Sequence, residues 1–209
     1  MRFYFVRHGE SEANLLNEFS NRGARHPLTE RGRAQVSALA EKLRGVHFLA
    51  IYSSPILRAI QSAEILAANL HVPYRVTEAL REYDVGILEG KADPESWKKY
   101  YELLGEWLVK GNWDARIEGG ESLNDMRYRF VPLIETLQKA HSNQEGAVLL
   151  VSHGGLYRCV LPLVLSNIDF EFSLAHTLGH TEFVLAEPGR NVEADAFGPQ
   201  RLTIDWTTS

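Results

Sequence analysis

Short blocks of consecutive apolar residues alternate along this chain with longer stretches in which apolar residues recur every three or four positions. Phe3-Tyr4-Phe5-Val6, the run 48–52 and Ala147-Val148-Leu149-Leu150-Val151 are of the first kind. Blocks this short, rich in Val, Ile, Phe and Tyr, read as strands buried on both faces. The second kind predicts helices. Val36, Leu39, Ala40 and Leu43 hold the i, i+3, i+4, i+7 spacing behind Thr29, a suitable N-cap. Ile56, Ile60, Ala63 and Ala67 form a second stripe, with Pro55 expected at the first helical position. Leu123, Met126, Phe130, Leu133 and Leu137 form a third, after Gly119-Gly120. Pro132 falls inside it, and an interior proline costs about 3 kcal/mol, so a kink or a break is expected there.

Strands alternating with helices predict an α/β fold: a three-layer α/β/α sandwich around a mostly parallel sheet with right-handed crossovers. The tail differs, because the segments 181–187 and 201–206 are joined by a Gly/Pro/Asn-containing loop alone. They are expected to pair antiparallel and to supply an antiparallel edge strand. Residues 91–118 carry Trp97, Tyr100, Tyr101, Trp107 and Trp113 among charges. They read as a helical excursion near the site, within a cap spanning 83–118, and packing is the commoner fate of such aromatics. One domain over 1–209 is expected, a length with room for a sizeable core.

Composition narrows the function classes. Hydrophobic residues make up 44% and charged residues 23%, as in ordinary soluble domains. The net charge of −5 argues against a nucleic-acid partner, since such proteins carry a basic surplus. It leaves room for a small anion held by a local basic cluster. The single cysteine, Cys159, reads as a small buried residue. The run 3–6 is too short for a signal-peptide core and no stretch is long enough to span a membrane, so a cytoplasmic protein with no membrane partner is expected.

Candidate chemistry gathers where the strands end. Arg7-His8-Gly9 follows the first apolar block, His153-Gly154-Gly155 the third, and Ser53-Ser54-Pro55 with Arg58 the second. Ligands of open α/β sheets bind outside the carboxyl ends of the strands. Arg7 and Arg58 offer planar forks suited to phosphate oxygens. Gly9 is expected to leave its N–H approachable. A helix opening at Ser11-Glu12 would add partial positive charge and bring Asn14 within reach of the same mouth. The remaining histidines show no metal-binding spacing; His176 and His180 are four apart but have Gly179 between them and lack a partner carboxylate. No Gly-rich nucleotide-binding loop is present.

Val6-Arg7-His8-Gly9-Glu10-Ser11 resembles the RHG signature of the histidine phosphatase superfamily, the phosphoglycerate mutase-like family. The likeness runs on through Asn14, Asn17, Pro27-Leu28-Thr29-Glu30-Arg31-Gly32, Ser53 to Ala59, Leu80-Arg81-Glu82, Gly119 to Ser122 and Val151 to Gly155, in that order. It implies that His8 is the nucleophile, forming a phosphohistidine, with its other ring nitrogen on a carbonyl such as that of Gly9. It implies that Arg7, Arg58 and His153 hold the phosphoryl oxygens, with Asn14, Asn17 and Gly154 also binding phosphate. Glu82 would be the general acid and base, with Asp84 and Glu89 as rivals. No cofactor and no metal are implied.

The family divides into enzymes that return the phosphoryl group to a sugar acid and enzymes that pass it to water. Asn14 and Asn17 resemble the mutase opening. Against that, Glu82 and His153 stand only 71 positions apart, without the longer basic insertion of mutases, although Lys91, Lys98, Lys99 and Lys110 are present. The tryptophan that mutases carry after the first glutamates is replaced by Ala13. The expectation is a phosphatase acting on a small phosphorylated metabolite. A 2,3-bisphosphoglycerate-dependent phosphoglycerate mutase is the alternative, and a non-catalytic phospho-ligand or protein-binding module the third reading. The antiparallel edge leaves a homodimer open.

Overall fold

The structure, a computed structural model, describes residues 1–188 and the strand 202–205. Six strands form one sheet in the order β3-β2-β4-β1-β5-β6. They are β1 (Arg2–Arg7), β2 (Phe48–Ser53), β3 (Tyr74–Val76), β4 (Ala147–Ser152), β5 (Phe183–Pro188) and β6 (Leu202–Asp205). β1, β2, β3 and β4 are mutually parallel. β5 runs antiparallel to β1, and β6 antiparallel to β5. The antiparallel strand is therefore next to the edge, and β6 forms the edge itself. Arg201, Trp206 and the loop preceding them lie outside the described residues. β3 has no apolar block to announce it: its three residues are half-buried or exposed at the other edge.

Among the described residues, seven helices flank the sheet: α1 (Glu12–Leu16), α2 (Glu30–Lys42), α3 (Leu57–Leu70), α4 (Pro94–Leu108), α5 (Leu123–Ala140), α6 (Gly154–Val164) and α7 (Phe170–Ala175). Side chains alternate across a strand, so β1 sends Tyr4 and Val6 to one core with α2 and α3, and Phe3 and Phe5 to the other with α4, α5 and α6. The result is the α/β/α sandwich that the strand–helix alternation predicted. Central β4 is buried at all six positions, which is why its sequence shows no alternation. None of the described helices is long and apolar enough to cross a membrane.

Three local expectations change. Thr29 caps α2 through its side chain and the Gly32 N–H at 2.9 Å, as expected, but Pro55 lies before α3, not at its first turn. Helical bonding starts from the Ile56 carbonyl, and the Ile56 N–H is taken by Ser54 Oγ at 3.2 Å. The buried stripe of α3 is Ala59, Ser62, Ala63 and Leu66, rotated from the apolar pattern because Arg58 turns inward as well. α5 is one continuous helix through Pro132. Pro132 and Tyr128, whose carbonyl loses its helical donor, both lie on the exposed face, where water can replace the bond. The buried stripe of α5 uses Ile134 where the sequence pattern pointed to Leu133.

Candidate active site

The carboxyl ends of β1, β2 and β4 converge on a cavity of about 220 Å³. Arg7, His8, Asn14, Ser20, Asn21, Arg58, Glu82, Gly154 and Arg158 line it, with an aromatic rim of Tyr83, Trp97, Tyr100 and Tyr101. The β1–β4 pairing continues past the strand ends, since the His8 N–H donates to the Ser152 carbonyl at 3.0 Å. Ser54, after β2, donates its N–H to the Val151 carbonyl in the same way. The sheet thereby fixes three loop starts against one another.

His8 is 3% exposed. Its Nδ1 lies 2.7 Å from the Gly9 carbonyl oxygen, which can only accept, so Nδ1 carries the proton. Its Nε2 receives the Nε–H of Arg58 at 3.0 Å. Arginine can only donate, so Nε2 is the unprotonated nitrogen. Both contacts demand the same neutral tautomer. Burial first, then the charges of Arg58 and Arg7, hold the ring well below 6.5. The Gly9 N–H is not free, as the sequence suggested; it donates to Ser62 Oγ at 3.2 Å. Glycine is required there for space, because a Cβ would sit 2.6 Å from the Gly32 carbonyl oxygen of α2.

Arg58 is 5% exposed and gives a second bond, from Nη1 to the Ser20 carbonyl at 2.7 Å. Burial, partly offset by Glu82, brings its guanidinium down to about 10. Arg7 donates to the Leu178 carbonyl at 2.7 Å and to His180 Nε2 at 3.1 Å. Its buried Nε has no partner among the described residues. Gly154, the first residue of α6, lies directly against this guanidinium: its added Cβ would be 3.3 Å from Arg7 Nε.

Glu82 enters from the loop after β3, held to β4 by Ser152 Oγ donating to the Leu80 carbonyl at 2.6 Å. Its carboxylate accepts the Tyr83 N–H at 3.1 Å and, from the first turn of α6, the Gly155 N–H at 3.0 Å. Burial raises its pKa above 4.5 against the pull of Arg58 and these two donors. The two rival acids are engaged elsewhere. Asp84 takes a bidentate pair from Arg22 at 2.7 and 2.8 Å and sits below its usual range despite burial. Glu89 accepts the backbone N–H groups of Asn21 and Arg22. Neither lines the cavity.

His153 is fully buried beside His8, with the rings edge to face at 5.0 Å, and it does not line the cavity. Its Nε2 meets Ser54 Oγ at 2.7 Å, and its Nδ1 has no partner among the described residues. Burial and the charge of Arg58 keep it neutral, well below 6.5. Asn14 lines the cavity while its Oδ1 accepts from the Ser11 N–H and hydroxyl. Asn17 is not brought in. It ends α1 in the left-handed region at φ 52°, accepts the Trp97 indole N–H on its carbonyl at 3.0 Å, and faces an outer groove beside Lys98 and Tyr101.

Local sequence gave no signal for Asn21 or His180, which sit in irregular segments. Arg158 was findable, because it lies four residues after Gly154 and so on the same face of α6. The aromatics of 91–118 divide between tasks. Trp107 is core, Trp113 packs on Phe170, and Trp97, Tyr100 and Tyr101 line the cavity. His176 bonds the Phe172 carbonyl and His180 bonds Arg7, so these two do not act together. Among the described residues no three His, Cys, Asp or Glu side chains converge as metal ligands would.

A buried neutral histidine between two arginines, facing a carboxyl of raised pKa at the carboxyl edge of a parallel sheet, defines a phosphoryl-handling site. A model of the histidine phosphatase superfamily, branch 1, matches residues 3–193, and the chain belongs to that superfamily of phosphatases and mutases. A probable phosphoglycerate mutase of Proteus mirabilis (strain HI4320) is 31% identical over 171 residues, covering 79% of this chain and 75% of the relative. Among solved structures, a mycobacterial glucosyl-3-phosphoglycerate phosphatase superposes with a TM-score of 0.75 at 25% identity, over 88% of this chain and 89% of that one. The α-ribazole phosphatase of Shigella flexneri shares the fold, with a TM-score of 0.73 at 23% identity over 91% and 92%.

Proposed function

We propose that the protein is a phosphatase that hydrolyses a small phosphomonoester through a phosphohistidine on His8. The observation that carries this reading is the fixed tautomer of His8, which presents an unprotonated Nε2 at the cavity with Arg58 beside it. In the first step an Nε2–P bond forms and the ester P–O bond breaks, while Glu82 gives its proton to the departing oxygen. In the second, water attacks phosphorus, Glu82 takes a water proton, and the N–P bond breaks to restore neutral His8 and release phosphate. The Arg58 Nε–H must first pass from Nε2 to a phosphoryl oxygen. Arg7 offsets charge from the other side, and such positioning and electrostatics supply most of the catalysis in phosphoryl transfer. His153, expected to hold phosphoryl oxygens with the two arginines, packs edge to face against the ring of the nucleophile.

Two features favour hydrolysis over the mutase reading that the relatives' names suggest. Among the described residues the arginines and lysines lining the cavity are Arg7, Arg58 and Arg158, enough for one phosphoryl dianion and little more. Of the four lysines that a second phosphate would call for, Lys98, Lys99 and Lys110 pair with Glu102, Glu95 and Glu106, and none of the four lines the cavity. The volume is below the roughly 300–1,000 Å³ of sites for drug-sized ligands, which suits a small substrate. The reaction takes place in the cytoplasm on this reading.

The test is phosphate release from radiolabelled p-nitrophenyl phosphate in EDTA, with trapping of the labelled phosphoenzyme by an alkaline detergent quench and a later acid treatment to show its lability. Turnover and an acid-labile label are expected, both absent in His8→Ala. Turnover lost on adding EDTA, or a label that survives in His8→Ala, would overturn the mechanism.

A further inference from the structure

Ser122 caps α5, and Glu121 stands one residue before it. Glu121 does not line the cavity, yet its side chain is turned inward, 14% exposed, onto the segment that carries Glu82. Its Oε2 accepts the Asp84 N–H at 2.9 Å, and the Glu121 N–H returns a bond to the Asp84 carbonyl at 2.9 Å. Its Oε1 lies 3.0 Å from Arg81 Nη2. Arg129, on α5, grips both carboxylate oxygens, from Nε at 3.0 Å and from Nη2 at 3.3 Å. The third nitrogen of that guanidinium, Nη1, donates to the Ala79 carbonyl at 2.9 Å.

Glu82 therefore belongs to a span held on both sides by one ion-paired cluster. Residues 81–85 lie between two short turns of 3₁₀ helix, Glu78–Leu80 and Gly86–Leu88, and are part of neither. Tethers, not a helix or a strand ladder, set their path. Arg129 holds Ala79 on one side, and Glu121 holds Asp84 on the other. The Gly155 N–H fixes only the tip of the Glu82 side chain. An acid must stay within hydrogen-bond reach of the departing oxygen, and a misplacement of about 1 Å can cost about 100-fold. We propose that Glu121, gripped by Arg129, is a positioning residue for Glu82 that sets the loop so the acid meets the leaving-group oxygen. The surroundings also explain the residue type. Each carboxylate oxygen meets N–H groups alone, so glutamine, of the same size, would turn its own NH₂ onto a donor. This rests on the phosphatase reading and on Glu82 as its acid.

Two esters with the same ring isolate the effect. Phenyl phosphate needs a proton on its departing oxygen far more than p-nitrophenyl phosphate does. Glu121→Gln should lower kcat/KM for phenyl phosphate by about 10- to 100-fold, and for p-nitrophenyl phosphate by no more than about 3-fold. Because the ratio of the two is taken within one protein, any loss of folded enzyme cancels. In a Glu82→Gln background the same substitution should cost phenyl phosphate no more than about 3-fold, since its route to the reaction is already removed. Arg129→Lys, which keeps the charge without the fork, should shift the ester ratio the same way, and it decides the matter if Glu121→Gln does not fold. An unchanged ester ratio would overturn this inference alone, as would a loss in the double variant that adds in full to that of Glu82→Gln. Wild-type release from p-nitrophenyl phosphate with none from phenyl phosphate would leave no acid to position and would overturn it too. No release from p-nitrophenyl phosphate would overturn the phosphatase reading, and this inference with it.

Discussion

The Nε–H of Arg58 points at Nε2 of His8 from 3.0 Å, across 50 residues of sequence. With the Gly9 carbonyl on the other nitrogen, this contact sets the tautomer of the ring, and burial, then the guanidinium charge, holds the ring neutral. Replacing Arg58 by Met should raise the His8 pKa toward 6.5, read from its imidazole proton shift in an NMR titration. Phosphoenzyme formation should slow by about 10²- to 10³-fold, the usual cost of one transition-state donor. An unmoved His8 titration would sink this account.

The pH profile should be set by Glu82 on the alkaline side. Its carboxyl is raised above 4.5 by burial, and a bound phosphoryl dianion raises it further. With a poor leaving group such as an alkyl phosphate, kcat should fall as pH rises through that pKa. His8 is neutral well below 6.5, so no acid limb belonging to His8 should appear near 6.5. Glu82→Gln should remove the alkaline limb and cost alkyl phosphates about 10²- to 10⁴-fold, and p-nitrophenyl phosphate far less. Equal losses on both ester types would argue against Glu82 as the acid.

A single methyl group at Gly155 should act on Glu82 directly. A Cβ there would lie 2.7 Å from Glu82 Oε2 and 3.0 Å from its Cδ. Since the obstructing atoms end a side chain, Glu82 should swing away while the fold stays intact. Gly155→Ala should leave thermal stability within about 1 kcal/mol, helped by alanine's helix propensity. It should reproduce the leaving-group dependence of Glu82→Gln. Wild-type rates on alkyl phosphates in Gly155→Ala would contradict the placement.

Acid stability should be governed by the buried histidines. His8 and His153 are both held below 6.5, chiefly by burial, while the unfolded chain takes up protons near 6.5. Their contribution is therefore complete above 6.5 and lost as pH falls below it, by at most about 1.4 kcal/mol per pH unit for each ring. His153→Gln should show a shallower loss of urea-unfolding free energy between pH 7 and pH 5 than wild type. Parallel pH slopes would show that His153 takes no part.

Much of the fold was legible because the strands at its centre are covered on both faces. β1 and β4 must be apolar at almost every position, and a block such as Ala147 to Val151 has few other readings. β3 escaped notice because an edge strand of three half-covered residues needs no such block. The α3 stripe was misread for a related reason. Helical periodicity assumes an apolar buried face, and Arg58 and Ser62 occupy buried positions on it.

The sequence alone determined the family, the ends of the strands and the presence of His8, Arg58, Glu82 and His153 near one sheet edge, since strand ends and glycine turns are local properties of the chain. Tertiary structure decided which nitrogen of His8 faces the cavity, that Glu82 and not Asp84 or Glu89 stands across from it, that Asn17 faces an outer groove, and that Glu121 reaches the loop of Glu82. These are matters of distance between segments tens of residues apart. Hydrogen-bond geometry and burial set them, and neither can be read from spacing along the chain.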